Sequence, residues 1–171
     1  MTHKEFPAAS PATFAEAAGA YASGVTLVTV ADGRDDIGTT VSAFCPVSTD
    51  PAIVAVSLAG GSYAAELLGK RCEFAVTFLA ASQRALAGRF AAAARPGARL
   101  LLDGVPHHRG ELSGALIADE GLAALECQVS QQLPAGDHQL FLARVLSVRY
   151  VAEYGAPLIR YHRRYLPAGP S

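Results

Sequence analysis

The chain contains no C-x-x-C pair, no G-x-G-x-x-G turn and no stretch near the ~18 uninterrupted apolar residues of a membrane-spanning helix. Each gap removes a class of protein. The three cysteines, Cys45, Cys72 and Cys127, are odd in number and far apart, which argues against a disulfide framework and against a zinc site. A reducing cytoplasm is the expected setting, with no bound metal. Met1–Ala9 lacks the apolar core of a signal peptide, so neither export nor a membrane anchor is expected. A net charge of −1 leaves no concentrated positive surface for a phosphate backbone, which sets nucleic acid aside as the main partner. One basic run, Arg160-Tyr161-His162-Arg163-Arg164-Tyr165, alternates with tyrosines and reads as the surface end of a strand. Without a Rossmann turn, any nucleotide is held in some other way.

What is present is a chain of 171 residues, 51% hydrophobic and 17% charged, enough for a single domain with a real core. The domain is expected over residues 10–166, with a loose arm at 1–9 and a tail at 167–171. Much of the apolar content is alanine, which buries little area per residue, so a homodimer interface is expected to supplement the core.

The central stretch is Ile37–Leu58, in which two β-branched runs flank a hydroxyl-rich segment, Cys45–Ala52, read as a join. Such a join aims backbone N–H groups and small hydroxyls at one spot, suited to an anionic or heteroaromatic ligand. Upstream, Ser10-Pro11 predicts a capped helix with Phe14, Ala17, Ala18 and Tyr21 at helical spacing, ending near Ser23-Gly24. Val25–Val30 and Ile37–Phe44 flank a turn cluster, Asp32–Asp36, and predict a hairpin. Ile53–Leu58 has no polar alternation and reads as a strand buried on both faces. Ser62 predicts the cap of a helix stopped at Gly69, Cys72–Leu79 a strand, and Ser82 the cap of a helix reaching Ala94. Ala98–Glu120, rich in glycine, reads as a long loop, a lid or a partner contact, carrying His107-His108. Leu122–Leu133 and His138–Val151 predict a hairpin around Pro134–Asp137, and Pro157–His162 a last strand. In the first of these, Leu125, Cys127 and Val129 fall on one face, so Cys127 reads as a small core residue. The pattern predicts a mainly β fold with peripheral helices, an antiparallel barrel rather than a doubly wound sheet.

Taken in order, Gly24–Thr29, Gly38–Phe44, Val47-Ser48-Thr49-Asp50-Pro51, Phe74–Leu79, Arg89-Phe90-Ala91, Leu125-Glu126-Cys127, Gly136-Asp137-His138, and Pro157-Leu158 with Tyr161 and Tyr165 form a pattern. It resembles the flavin reductase-like family, the FMN-binding split barrels that serve as reductase components of two-component flavin monooxygenases. The resemblance covers roughly Phe14 to Tyr165. The chain departs from the family pattern at Ala52, where a second proline is usual, at Ala43, where a small polar residue is common, and at Ala143, which replaces a frequent glycine.

The resemblance implies an NAD(P)H:flavin oxidoreductase that reduces FMN or FAD with NADH or NADPH and supplies a partner monooxygenase. It implies that Gly38, Thr39, Thr40, Val41, Ser42 and Ala43 line the flavin, and that Ser57, Leu58, Ala59 and Ser62 hold its phosphate near a helix N-terminus. It further places Arg89, Phe90, Pro157 and Leu158 in the flavin site, and His138 beside the nicotinamide. The same residues have plainer readings: Thr and Val form strands readily, Ser62 is a cap, Arg89 a surface cation beside a core Phe90, and His138 a solvated turn residue. Two other functions remain open at this point, a tight flavin-binding electron carrier without nicotinamide turnover and an oxidase resembling pyridoxamine-phosphate oxidase.

Overall fold

A computed structural model describes residues 8–166. The expected arm and tail therefore fall, apart from Ala8 and Ala9, outside the described residues.

The chain opens with helix α1, Pro11–Gly19, where Ser10 Oγ accepts the Thr13 N–H at 3.2 Å and Pro11 occupies the first turn. Strand β1, Ser23–Gly24, leads into β2, Thr26–Val30, and β3, Ile37–Val41, which pair antiparallel as the hairpin pattern predicts. Strands β4, Phe44–Thr49, and β5, Ala52–Ala59, form the next hairpin. Helix α2, Tyr63–Arg71, is followed by β6, Glu73–Phe78, a short 3-10 turn, then α3, Arg84–Ala91, and the single turn α4, Ala98–Leu101. A small ribbon, β7 at His107–Arg109 and β8 at Leu116–Ala118, precedes the long hairpin of β9, Ala123–Ala135, and β10, His138–Val151. The last elements are β11, Ile159–Tyr161, and β12, Arg164–Tyr165.

Seven strands form one antiparallel sheet in the order β3-β2-β6-β9-β10-β5-β4. Its two edges, β3 and β4, are consecutive in the chain, and the bend at Ser42-Ala43 carries the backbone from one edge to the other. The Ser57 N–H donates to Ala43 O at 3.0 Å and holds that bend against β5. The sheet is thus a barrel split between β3 and β4. Its interior is filled by Val28, Val54, Val56, Phe74, Val76, Leu125, Cys127 and Phe141, with Ala64, Ala65, Leu67 and Leu68 of α2 packed into the same cluster. A Leu or Phe side chain buried this fully contributes about 1.5–3 kcal/mol. Cys127 is a core residue here, and burial pushes its thiol pKa up to about 12. A second cluster outside β2 unites Val25, Leu27, Leu86, Phe90, Leu102 and Leu158, which is why every residue of β2 is buried.

Several local expectations are corrected. Cys45–Thr49 is not a loop but edge strand β4, which tolerates Pro46 because an edge leaves one side of the ladder unpaired. In β5 only Val54, Val56 and Leu58 are buried, while Ile53, Ala55 and Ser57 are half-exposed, so only one face lies in the core of the chain. Helix α2 runs past Gly69 and ends at Cys72, whose φ of +68° makes the left-handed cap. Gly69 lies against the end of the exposed Gln132 side chain, whose Oε1 would stand 2.9 Å from a Cβ there. Ser82 caps nothing: the 3-10 turn before α3 is tied instead by Gln83 Oε1, which accepts the Ala80 N–H at 3.1 Å.

The segment 98–120 is an ordered element rather than a lid. Leu102, Ala115, Ile117 and Ala118 are fully buried. Asp36, also fully buried, accepts from Arg99 Nε and Arg109 Nη2 at 2.9 Å each, locking the segment to the β2–β3 turn. Helix α1, despite its amphipathic spacing, buries no residue, and Phe14 is 67% exposed.

Candidate functional site at the split of the barrel

The edge strand β3 has no strand beside it on its outer side, so half of its backbone N–H and C=O groups face outward. The short ribbon β11–β12 and the end of α3 stand around this edge. Ribbon β11 is held by pairing with β1, Ser23 opposite Arg160, and by two bonds of Leu158: its carbonyl accepts the Val25 N–H at 3.0 Å and its N–H donates to Leu79 O at 2.9 Å. The space left between these elements forms two adjoining hollows.

The smaller, about 190 Å3, is lined by Val25, Thr39, Thr40, Val41, Ser42, Ala91, Arg160 and Tyr165. The larger, about 450 Å3, has Ser42 and Ala43 on one side, Arg160, Tyr161, His162 and Arg163 on another, and α1 as its far wall. Ser42 and Arg160 belong to both, and Arg160 Nη1 donates to Ser42 Oγ at 3.1 Å on the ridge between them. Together the hollows are of the size, about 300–1,000 Å3, that takes a small molecule or cofactor. Arg95 braces the start of β3: its Nε donates to Gly38 O at 2.8 Å and its Nη1 to Ala92 O at 3.2 Å, and burial holds its pKa below the usual arginine value.

Of the residues singled out in the sequence, Thr39, Thr40, Val41, Ser42 and Ala43 meet at these hollows. Ser57 lies beside them through its bond to Ala43. About 7 Å further along β5, two strand residues on, Ala59 stands opposite His138 on β10. Ser62 Oγ there donates to Ala59 O at 2.7 Å and accepts the Ala65 N–H at 3.2 Å, so it is a true cap of α2. The His138 imidazole is half-exposed, and its Nδ1–H donates to Asp137 Oδ1 at 2.7 Å, which holds the Asp137 carboxyl below its usual range.

The other expectations separate from this group. Phe90 has no exposed surface and packs behind Gly38, which leaves neither free to face a ligand through a side chain. Leu58 and Leu158 are buried in the two core clusters. Pro157 bridges to Ala80, and Arg89 Nη1 reaches Leu101 O at 3.4 Å; neither lines either hollow. Conversely, Arg160, Tyr161, His162, Arg163 and Tyr165 line the hollows, although the run reads in the sequence as a mere strand end. The signal was the basic charge itself, concentrated on a ribbon one turn long. His107 and His108 sit on β7, bonded at 2.7 Å to Val105 O and Asp119 Oδ1, and among the described residues no group of three potential metal ligands occurs.

An antiparallel split barrel with a cofactor-sized hollow at the open edge defines the class of protein. Residues 18–169 match the family described as the flavin reductase like domain. The chain is 34% identical over 155 residues to the NADH-dependent FMN reductase AsuE2 of Streptomyces nodosus subsp. asukaensis, covering 89% of this chain and 82% of that one. It is 32% identical over 152 residues to the reductase component of 4-hydroxyphenylacetate 3-monooxygenase from Thermus thermophilus, covering 89% and 93%. Among solved structures, the flavin reductase component BorF of a bacterial two-component tryptophan halogenase superposes with a TM-score of 0.85 at 27% identity, covering 94% of this chain and all of that one. The NADH:FAD oxidoreductase SgcE6 of Streptomyces globisporus, in complex with NAD and FAD fragments, gives 0.83 at 28% identity, with 93% of each chain covered. The chain belongs to the flavin reductase-like family.

Proposed function

We propose that the protein is an NAD(P)H:flavin oxidoreductase that transfers a hydride from NADH or NADPH to FMN or FAD and passes the reduced flavin to a separate monooxygenase component. The observation that carries this reading is the open edge of β3 facing the smaller hollow, with Thr39, Thr40 and Ser42 adding hydroxyls to unpaired backbone groups. That donor and acceptor set matches the heteroatom edge of an isoalloxazine ring, and the family relationship supports it. The bound flavin supplies the hydride acceptor, a chemistry that needs the two rings close and parallel rather than a side-chain acid or base.

This chain's residues then divide the work. The β3 edge and Ser42 orient the ring and stabilise charge that builds on it during reduction. The free N–H groups at the start of α2, with Ser62, Ser57 and Ala59, hold the flavin phosphate. His138 positions the nicotinamide. The whole unit, residues 10–166, acts as one domain in the cytoplasm; among the described residues no helix is long and apolar enough to cross a membrane. A homodimer completes it, because Ile53 and Ala55 on β5, Leu146, Val148 and Val151 on β10, and Phe14 on α1 are left half-exposed or exposed by one chain.

Anaerobic stopped-flow mixing of protein and FMN or FAD with each nicotinamide tests the activity, and bleaching of the oxidised flavin by at least one pair is expected. A purified yellow protein that neither NADH nor NADPH bleaches is the electron carrier instead. Sedimentation at twice the 17.7 kDa chain mass is expected for the dimer; a monomer that still reduces flavin removes that part.

A further inference from the structure

The β11–β12 ribbon is closed by a two-residue turn, His162-Arg163, between Tyr161 and its partner Arg164. Both turn residues have positive φ, +44° and +62°. A hairpin turn of this geometry favours Asn-Gly, and a bulky L-residue in the left-handed region costs roughly 1–2 kcal/mol. Here two consecutive large, basic residues occupy it. The strain is held by the surroundings: the His162 N–H donates to Gly19 O at 2.7 Å at the end of α1, and Arg160 reaches Ser42. Backbone strain of this kind clusters at ligand-binding and switch segments.

Among the described residues the charges at this turn make no ion pair, although Glu16 of α1 lines an adjoining hollow with His162 and Arg163. Asp36 takes Arg99 and Arg109, Glu111 takes Arg149, and Asp32 takes Arg71. Among the described residues no carboxylate lies within ion-pair distance of Arg160, His162 or Arg163. All three line the larger hollow, which adjoins the β3 edge through Ser42 and Arg160. Two guanidiniums and an imidazole facing one cavity form a receptor for a multiply charged oxyanion, and arginine's planar fork suits phosphate in particular.

We propose that Arg160, His162 and Arg163 bind a phosphomonoester of a substrate nucleotide and so determine which nucleotide this protein prefers. The proposal rests on the flavin reductase reading. Two phosphomonoesters exist in that chemistry, the 5′-phosphate of FMN and the 2′-phosphate that distinguishes NADPH from NADH. With the start of α2 taking the flavin phosphate, the ribbon takes the 2′-phosphate, and the protein favours NADPH.

The test compares wild type with Arg160→Gln, Arg163→Gln and Arg163→Gly in two measurements. One is the ratio of kcat/KM for NADPH over NADH; the other is the affinity for FMN against riboflavin by flavin fluorescence quenching, which requires no turnover. Loss of one charge-assisted contact is expected to lower the NADPH:NADH ratio about tenfold or more, with FMN and riboflavin unaffected. A loss confined to FMN over riboflavin also supports a phosphate receptor and assigns it the flavin phosphate in place of α2. Arg163→Gly separates binding from folding: it relieves the strained φ, so it is expected to raise thermal stability while still losing discrimination. Ratios within twofold of wild type in both measurements, for both arginines, overturn the proposal while leaving the reductase activity standing. If wild type oxidises neither nicotinamide, the functional reading fails. The ratio of NADP+ to NAD+ dissociation constants by calorimetry, wild type against the arginine variants, then replaces the kinetic ratio beside the FMN against riboflavin comparison in deciding for or against the phosphate receptor.

Discussion

Phe90 lies so close against Gly38 that a Cβ on the glycine would stand 2.3 Å from the ring's Cε1. The two residues, 52 positions apart in the chain, form one contact through which α3 reaches the start of the candidate site. Phe90 is fully buried. Gly38→Ala is therefore expected to displace the ring or the strand and to cost about 1–3 kcal/mol by overpacking. Urea unfolding reads the loss. Stability within about 0.5 kcal/mol of wild type would show that the contact relaxes freely.

Asp36 offers a prediction about acid. Burial alone would raise its pKa, but hydrogen bonds from Arg109, Arg99 and the Asp32 N–H outweigh burial and leave it below 3.8. A carboxylate depressed in the folded state contributes stability that is fully present above its unfolded value and is lost as pH falls through the folded one. Asp36→Asn is thus expected to destabilise the protein by about 2–3 kcal/mol at neutral pH. That gap from wild type should narrow below pH ~4. Denaturant midpoints at neutral and acid pH give the comparison. A gap that stays constant or widens on acidification would mean that Asp36 acts through shape rather than charge.

The barrel was legible in the sequence because its strands carry local signals. Val25–Val30 is a β-branched run closed by a dense turn cluster, and Gly136-Asp137 marks the long hairpin. Thr39–Ala43 stood out through the family resemblance and through hydroxyls at the end of such a run, and the fold sets these residues along the two hollows. What the sequence did not reveal depends on partners distant in the chain. The apolar run of β5 looks doubly buried, but whether a second face is covered depends on what packs there, and in one chain Ile53 and Ala55 remain half-exposed. The glycine-rich stretch 98–120 looks like a loop because its order comes from Asp36 gripping Arg99 and Arg109 across 63 and 73 residues. Glu126, which alternation places on the outer face of β9, is fully buried: its Oε1 accepts the Leu112 and Ser113 N–H groups and the Ser113 hydroxyl. Nothing near Glu126 in sequence announces those donors. Arg160 likewise looks like a surface cation until the fold sets it against Ser42.

His138 provides the sharpest division between mechanism and fold. Its Nδ1 is engaged by Asp137, which fixes the ring and leaves Nε2 free, and its strand pairs with Ala59 at the end of β5 that leads back to Ser57 and Ala43. On the proposed reading, a ring held this way orients a nicotinamide over a flavin at the β3 edge. His138→Ala removes a half-exposed side chain at a strand end, so the melting temperature and flavin affinity are expected to stay near wild type. The rate of flavin reduction by NADH or NADPH is expected to fall about tenfold to a thousandfold, the usual loss for a contact that positions or stabilises charge. Dithionite bypasses the nicotinamide and should reduce the variant's flavin as fast as it reduces wild type's. Asp137→Asn keeps the ring but loosens its anchor, and a smaller loss in the same step is expected. Equal reduction rates for wild type and His138→Ala, at limiting and saturating nicotinamide alike, would return His138 to an ordinary residue at the start of β10.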